Sequence, residues 1–156
     1  MDASTRQDFE VGPVGSVVGL AVRPGMNKPM CVLDQIVVTV EGAVVEDYGK
    51  SLKRGITLLS SMQWQQVQDE LGAELPWHLR RANVLIEAKS LVHLIGKTIC
   101  IGDVQVAITT ETDPCSLMET LHSGLEAALT PDCRGGVYGK VVKGGAIKIG
   151  DVVTLV

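Results

Sequence analysis

The chain has 156 residues, 46 % of them apolar and 21 % charged, which is the balance of one soluble globular domain large enough to bury a core. Aromatic residues make up only 3 % and the formal net charge is −4, so neither a basic face nor a stacking platform for nucleic acid is expected. No apolar run approaches the ~20 residues that cross a bilayer, and the polar, acidic start MDASTRQDFE is unlike a signal peptide. Cytoplasm, with no nucleic-acid or membrane partner, is therefore the expected setting.

In chain order, residues 1–13 read as a flexible arm and residues 14–156 as the domain. Residues 14–22 are rich in β-branched side chains and predict a strand, broken by Arg23-Pro24-Gly25. Residues 34–41 (DQIVVTVE) predict a second strand, 42–54 a mixed connection, and 56–59 a short third strand. Ser60 with Gln63 resembles a capping box, Gln63 reaching back, for a helix that runs to about Leu71 and stops at Gly72. Met62, Val67 and Leu71 share one face of that helix, with Trp64 at its edge, and are read as core contacts. Pro76-Trp77-His78 marks a turn, and Arg80-Arg81 precede a strand over residues 82–87.

An internal echo follows. The pattern I-x-I-G-D-V occurs at Ile99–Val104 and again at Ile147–Val152. Gly-Asp between alternating apolar residues predicts a tight hairpin at each copy. Many short strands leave edges that must be hidden, which argues for a mainly β fold: a closed or nearly closed β-barrel with two or three accessory helices.

The chemistry points to the segment between the two copies. A strand-like run over residues 104–110 feeds Asp113-Pro114-Cys115, and a helical pattern begins there. Asp113 is the expected cap and Pro114 the expected first helical residue. Cys115 would then lie in the first turn, where amides and the helix dipole favour a thiolate, although the Asp113 carboxylate opposes one. On this reading Cys115 is the most reactive of the four thiols; the plainer alternative is a small buried hydrophobe. Arg134-Gly135-Gly136 can form an anion-binding nest or simply a glycine turn entering a strand. Arg80-Arg81 can donate to an anion or stand solvated. Cys133 could act as resolving partner to Cys115, although a structural or incidental role is the expected one for it, as for Cys31 and Cys100. No Cys-x-x-Cys pair exists and the three histidines stand far apart, so a zinc site is not expected. There is no Ser-His-Asp order and no Walker-type loop.

The stretches RRANVLIEAKSLVHLIGKTICIGDVQVAI and RGGVYGKVVKGGAIKIGDVV, with a cysteine after a proline between them, resemble the MOSC domain, the carboxy-terminal domain of molybdenum cofactor sulfurases. The resemblance covers residues 81–151 well and extends more faintly upstream. It implies a β-barrel in which Cys115 is persulfide carrier or molybdenum ligand. Asn83 falls on the family's strand start. Arg81, Arg134 and the adjoining Gly135 and Gly136 fall near its anion site, so that Arg81 and Arg134 are expected in one cleft. The implied cofactor is molybdopterin, the implied ligand that pterin or a small anion, and the implied partner an enzyme receiving sulfur or cofactor. For an enzymatic member the implied activity is molybdenum-dependent reduction of N-hydroxylated compounds, with sulfur transfer as the other route. Pyridoxal phosphate binding is associated with the family as a whole only. Two departures stand out: residues 42–48 carry no Gly-Asp-His element, and the extra amino-terminal β-domain of larger relatives is absent from this sequence. Both point to a smaller ligand or a domain working with a partner.

Overall fold

The computed structural model describes residues 12–41, 43–48 and 55–156. Most of the expected arm therefore lies outside the described residues, while Gly12 and Pro13 already belong to the first strand, β1 (Gly12–Val22).

The chain continues through β2 (Cys31–Val32), β3 (Gln35–Thr39), β4 (Ala43–Val44) and β5 (Ile56–Ser60), then helix α1 (Ser61–Leu71) and β6 (Val84–Glu87). There follow β7 (Thr98–Ile101), β8 (Val104–Glu111), helices α2 (Ser116–Leu121) and α3 (Leu125–Leu129), and β9 (Val137–Lys143), β10 (Gly145–Lys148) and β11 (Val152–Leu155). Seven strands close a barrel in the order β11-β7-β8-β9-β5-β6-β1, with β1 pairing back onto β11. The expected barrel with a few accessory helices is thus what forms. Among the described strands of the barrel, the one parallel pair is β5 with β6. Such a pair needs a crossover, and α1 supplies it. A second sheet, β10-β3-β4, packs beside the barrel.

The barrel interior is filled by Val, Ile and Leu, among them Leu20, Ile36, Ile86, Ile99, Ile101 and Val153, all fully buried. That composition follows from a chain with so few aromatics. A smaller cluster outside the barrel joins Leu59, Trp64, Val67, Met118, Leu125 and Leu129 beneath the helices.

Several local expectations change. Ser60 caps α1, its Oγ accepting from the Gln63 amide at 3.1 Å, and Gly72 ends the helix at φ 62°. The Gln63 side chain does not reach back; its Nε2 donates across to the Asp132 carbonyl at 2.7 Å. Met62 is exposed, and the packed face of α1 is Gln63, Trp64 and Val67. The reason is that α1 packs on the outer face of β5 and β6, where Trp64 and Val67 join Leu59 and Leu85 in one cluster. Residues 43–44, read as part of a connection, pair as β4, and residues 31–32 pair as β2; two-residue strands are too short to show a period.

The two I-x-I-G-D-V copies part company. The first is the hairpin β7–β8, with Gly102 at φ 58° in its turn. The second turns tightly, with the Lys148 amide donating to Asp151 Oδ2 at 2.9 Å and Gly150 at φ 93°. Yet its arms do not pair. β10 joins β3, while β11 fills the gap between β7 and β1. The second copy already leans on β1, since the Val17 amide donates to the Asp151 carbonyl and the Gly150 amide to that of Val17, at 2.9 and 2.8 Å. Barrel closure takes β11 away from β10.

Candidate functional site

The site is assembled from the approach to β6 and the exit from β8. A 3₁₀ turn, Trp77–Arg80, precedes β6 and ends at Arg81, whose φ is 61°. Only glycine adopts the left-handed region freely, so this arginine is held there at a cost of about 1–3 kcal/mol. The twist splits the arginine pair. Arg81 is exposed, whereas Arg80 is only 8 % exposed and donates from Nη2 to the Thr112 carbonyl at 2.6 Å.

Asn83 ties three strand ends together. Its Oδ1 accepts from the Thr57 amide and hydroxyl at 3.2 and 3.0 Å, and its Nδ2 donates to the Ala21 carbonyl at 3.2 Å. The residue is buried, and its amide holds β5 and β1 at the start of β6.

Thr112 follows β8 and is fixed from two sides: Arg80 donates to its carbonyl, and its own amide donates to the Gly136 carbonyl at 2.8 Å. Three residues on, Cys115 has extended backbone (φ −132°, ψ 177°) and is itself the N-cap of α2. Asp113 is therefore not the cap, and Pro114 is not helical. Asp113 and Pro114 form a link without regular structure between Thr112 and Cys115, so α2 starts later than the Asp-Pro signal suggests. The Cys115 carbonyl accepts from the Met118 amide at 2.9 Å, and the residue is exposed.

Cys115, Arg80, Arg81, Thr112, Asp113 and Gly135 share one cavity of about 190 Å³, with Leu117 and Met118 at its side. Gly135 is there for space. A Cβ on it would stand 2.7 Å from the Thr112 carbonyl oxygen and 3.0 Å from Arg80 Nη2. Arg134 does not join this cavity. Its Nη1 pairs with Glu70 Oε2 at 2.9 Å on α1 and donates to the Ala128 carbonyl at 3.1 Å at the end of α3. Arg81 and Arg134 are thus not brought into one cleft, and Arg80 stands where Arg134 was expected. Nor is the Arg134-Gly135-Gly136 nest open: the Arg134 amide donates to the Pro131 carbonyl and the Gly136 amide to that of Cys133. The sequence offers Arg80-Arg81 as donors to an anion or as a solvated pair; in the fold the two part, Arg80 donating inward to the Thr112 carbonyl and Arg81 remaining exposed.

Cys133 lies at φ 56°, beside Asp132 at φ 53°. Burial pushes its thiol above the ordinary value of 9.0, and the Glu111 carboxylate, which also hydrogen-bonds it, adds to the shift, with Asp113 and Asp132 behind. A thiol held protonated at neutral pH is a poor resolving nucleophile. All four cysteines are free. Among the described residues no group of three or more His, Cys, Asp or Glu could hold a metal. At Cys115 the described residues therefore offer one sulfur donor, and a metal held there would draw its other donors from the molecule that carries it.

Sequence comparison identifies the family to which this barrel belongs. The model of the MOSC domain matches residues 45–154, more than half the chain, and the protein belongs to that family. No curated protein matches the sequence. Among solved structures the fold is similar to that of YUAD protein from Bacillus subtilis, with a TM-score of 0.75 and 16 % identity over 90 % of this chain and 94 % of that one. It is also similar to YiiM from Escherichia coli, with a TM-score of 0.71 and 12 % identity over 90 % and 69 % of the two chains. YiiM from Geobacillus stearothermophilus gives a TM-score of 0.67 and 18 % identity over 94 % and 75 %. At these identities the likeness is one of fold. Among the described residues no helix is long and apolar enough to cross a membrane.

Proposed function

We propose that the protein handles sulfur or molybdenum cofactor in the cytoplasm, with Cys115 as the residue that carries persulfide sulfur or ligates molybdenum. The observation that supports this most directly is an exposed thiol on the rim of a cavity that also holds two guanidinium groups. Arg81 is placed to take a phosphate-like group of the ligand. Arg80 does not reach out; it fixes Thr112 and so positions the segment that ends in Cys115. A bound molybdenum cofactor would supply two-electron redox chemistry of the kind that reduces N-hydroxylated compounds. In that case the residues of this chain bind and orient: Cys115 gives the thiolate, and Arg81 gives the positive charge.

A second reading is a delivery module that passes sulfur or cofactor to a partner enzyme, without nucleic-acid or membrane partners. Exposure of Cys115 favours it, because a partner can reach the sulfur. Both readings are tested on full-length protein purified from cells that make the cofactor, by assaying molybdenum, pterin and sulfane sulfur. Loading of at least one is expected in the wild type and none in Cys115→Ser. Reduction of an N-hydroxylated compound by the loaded protein, supplied with a chemical electron donor but no partner protein, separates enzyme from carrier. If none of the three loads, or if loading ignores the Cys115→Ser substitution, the assignment of Cys115 is wrong.

A further inference from the structure

The cavity beside Cys115 does not end at Arg81. On the far side of that arginine lies a second cavity of about 250 Å³, lined by Pro29, Met30, Pro76, Leu79 and Leu121 with Lys28 and His78. Arg81 lines both. Helix α2 forms a common wall: Leu117 and Leu121 sit one turn apart, 41 % and 42 % exposed, the first on the Cys115 cavity and the second on the other. Neither cavity alone reaches the roughly 300 Å³ of an ordinary small-molecule site, but the two, which meet at Arg81, do so together. Its charge runs against the rest of the chain. With a net charge of −4 overall, the groove collects Lys28, Arg80 and Arg81 against the single carboxylate of Asp113.

We infer that this groove binds a small organic anion with an apolar body. The anionic group pairs with Arg81, and the body lies on the shelf made by Met30, Pro76, Leu79 and Leu121. An inorganic anion would leave that shelf uncovered, and a neutral hydrocarbon would leave Arg81 unpaired. The left-handed backbone of Arg81 is what puts the charge at the junction of the two cavities rather than beside Arg80. Calling this ligand the substrate rests on the role proposed for Cys115; the binding site itself does not.

Isothermal titration of the full chain with 2-naphthoate tests the inference, with acetate and 2-naphthalenemethanol as the anion without the body and the body without the anion. Naphthoate is expected to bind saturably, each control about tenfold or more weaker. Arg81→Asn, chosen because asparagine tolerates left-handed backbone, should bring naphthoate down to the level of the neutral alcohol. Leu121→Asn, at an exposed position, should weaken it about fivefold through lost apolar contact. Naphthoate binding no tighter than either control overturns the proposal, and so does unchanged affinity in either folded variant. An acidic apolar peptide that binds while naphthoate does not also overturns it. Cys115→Ser should keep naphthoate affinity within about twofold, because the sulfur lies beyond the shelf. Failure here thus leaves the metal and sulfur assays of Cys115 standing, and their failure leaves this site standing.

Discussion

Inside the barrel the buried cluster is aliphatic throughout, from Val17 and Leu20 on β1 to Val153 on β11. The seam where the three helices meet the barrel buries Gln63, Arg80 and Thr112 instead, with Arg134 close to buried beside them. Among the described residues, Gln63 Oε1, Thr112 Oγ1 and Arg134 Nε are buried without a hydrogen-bond partner in the protein. Each such atom costs about 1–3 kcal/mol that an apolar side chain would not. The barrel, then, is organised for packing, and the seam for holding polar groups in place. The cavity beside Cys115 opens at the seam, where Thr112 and Arg80 are held.

Substitutions in the two regions should separate stability from the site. The largest effect is expected in the barrel. Ile86→Ala removes a fully buried side chain between β1 and β5 and should lower stability by about 2–5 kcal/mol in urea unfolding. Under native conditions the rate at which Cys115 is alkylated should stay at the wild-type value. If that rate changes as much as stability does, the two regions are not separable.

Gly135→Ala strikes the seam. Its new methyl would press on the Thr112 carbonyl oxygen and on Arg80, and the expected loss is about 1–3 kcal/mol. Here the rate of Cys115 alkylation should move, because Thr112 anchors the segment leading to it. A variant of wild-type reactivity would show that Arg80 does not position Cys115.

The smallest effect concerns pH. The Cys133 thiol titrates above 9.0 in the folded protein, through burial and then Glu111. The folded state thus holds this proton more tightly than the unfolded chain. Its contribution to stability is complete below the unfolded pKa and is lost as pH rises through the folded one. Urea midpoints from pH 8 upward should fall more for the wild type than for Cys133→Ser, with the difference opening above about pH 9. Glu111→Gln should let Cys133 be alkylated at lower pH. Equal midpoint curves for the wild type and Cys133→Ser would mean that the seam does not perturb this thiol.

What the sequence determined by itself was local or periodic. The alternation of Ile99 and Ile101 before Gly102-Asp103 made one hairpin legible, and Ser60 with Gly72 marked both ends of α1, because caps and turns depend on a few adjacent residues. The order of residues from Arg81 to Asp151, taken as a whole, carried the family and with it the barrel. Tertiary structure alone decided the rest. Two identical I-x-I-G-D-V strings met different neighbours, and closure of the barrel outweighed the local preference for a hairpin at the second. Arg134, beside two glycines, went to Glu70 and the end of α3, while Arg80 turned inward to the Thr112 carbonyl. A guanidinium is placed by whichever carbonyl or carboxylate the fold brings within reach, and those partners lie 32 residues away for Arg80. No spacing within the chain encodes such a distance; the pairing of β8, β9, β5 and β6 around the barrel does.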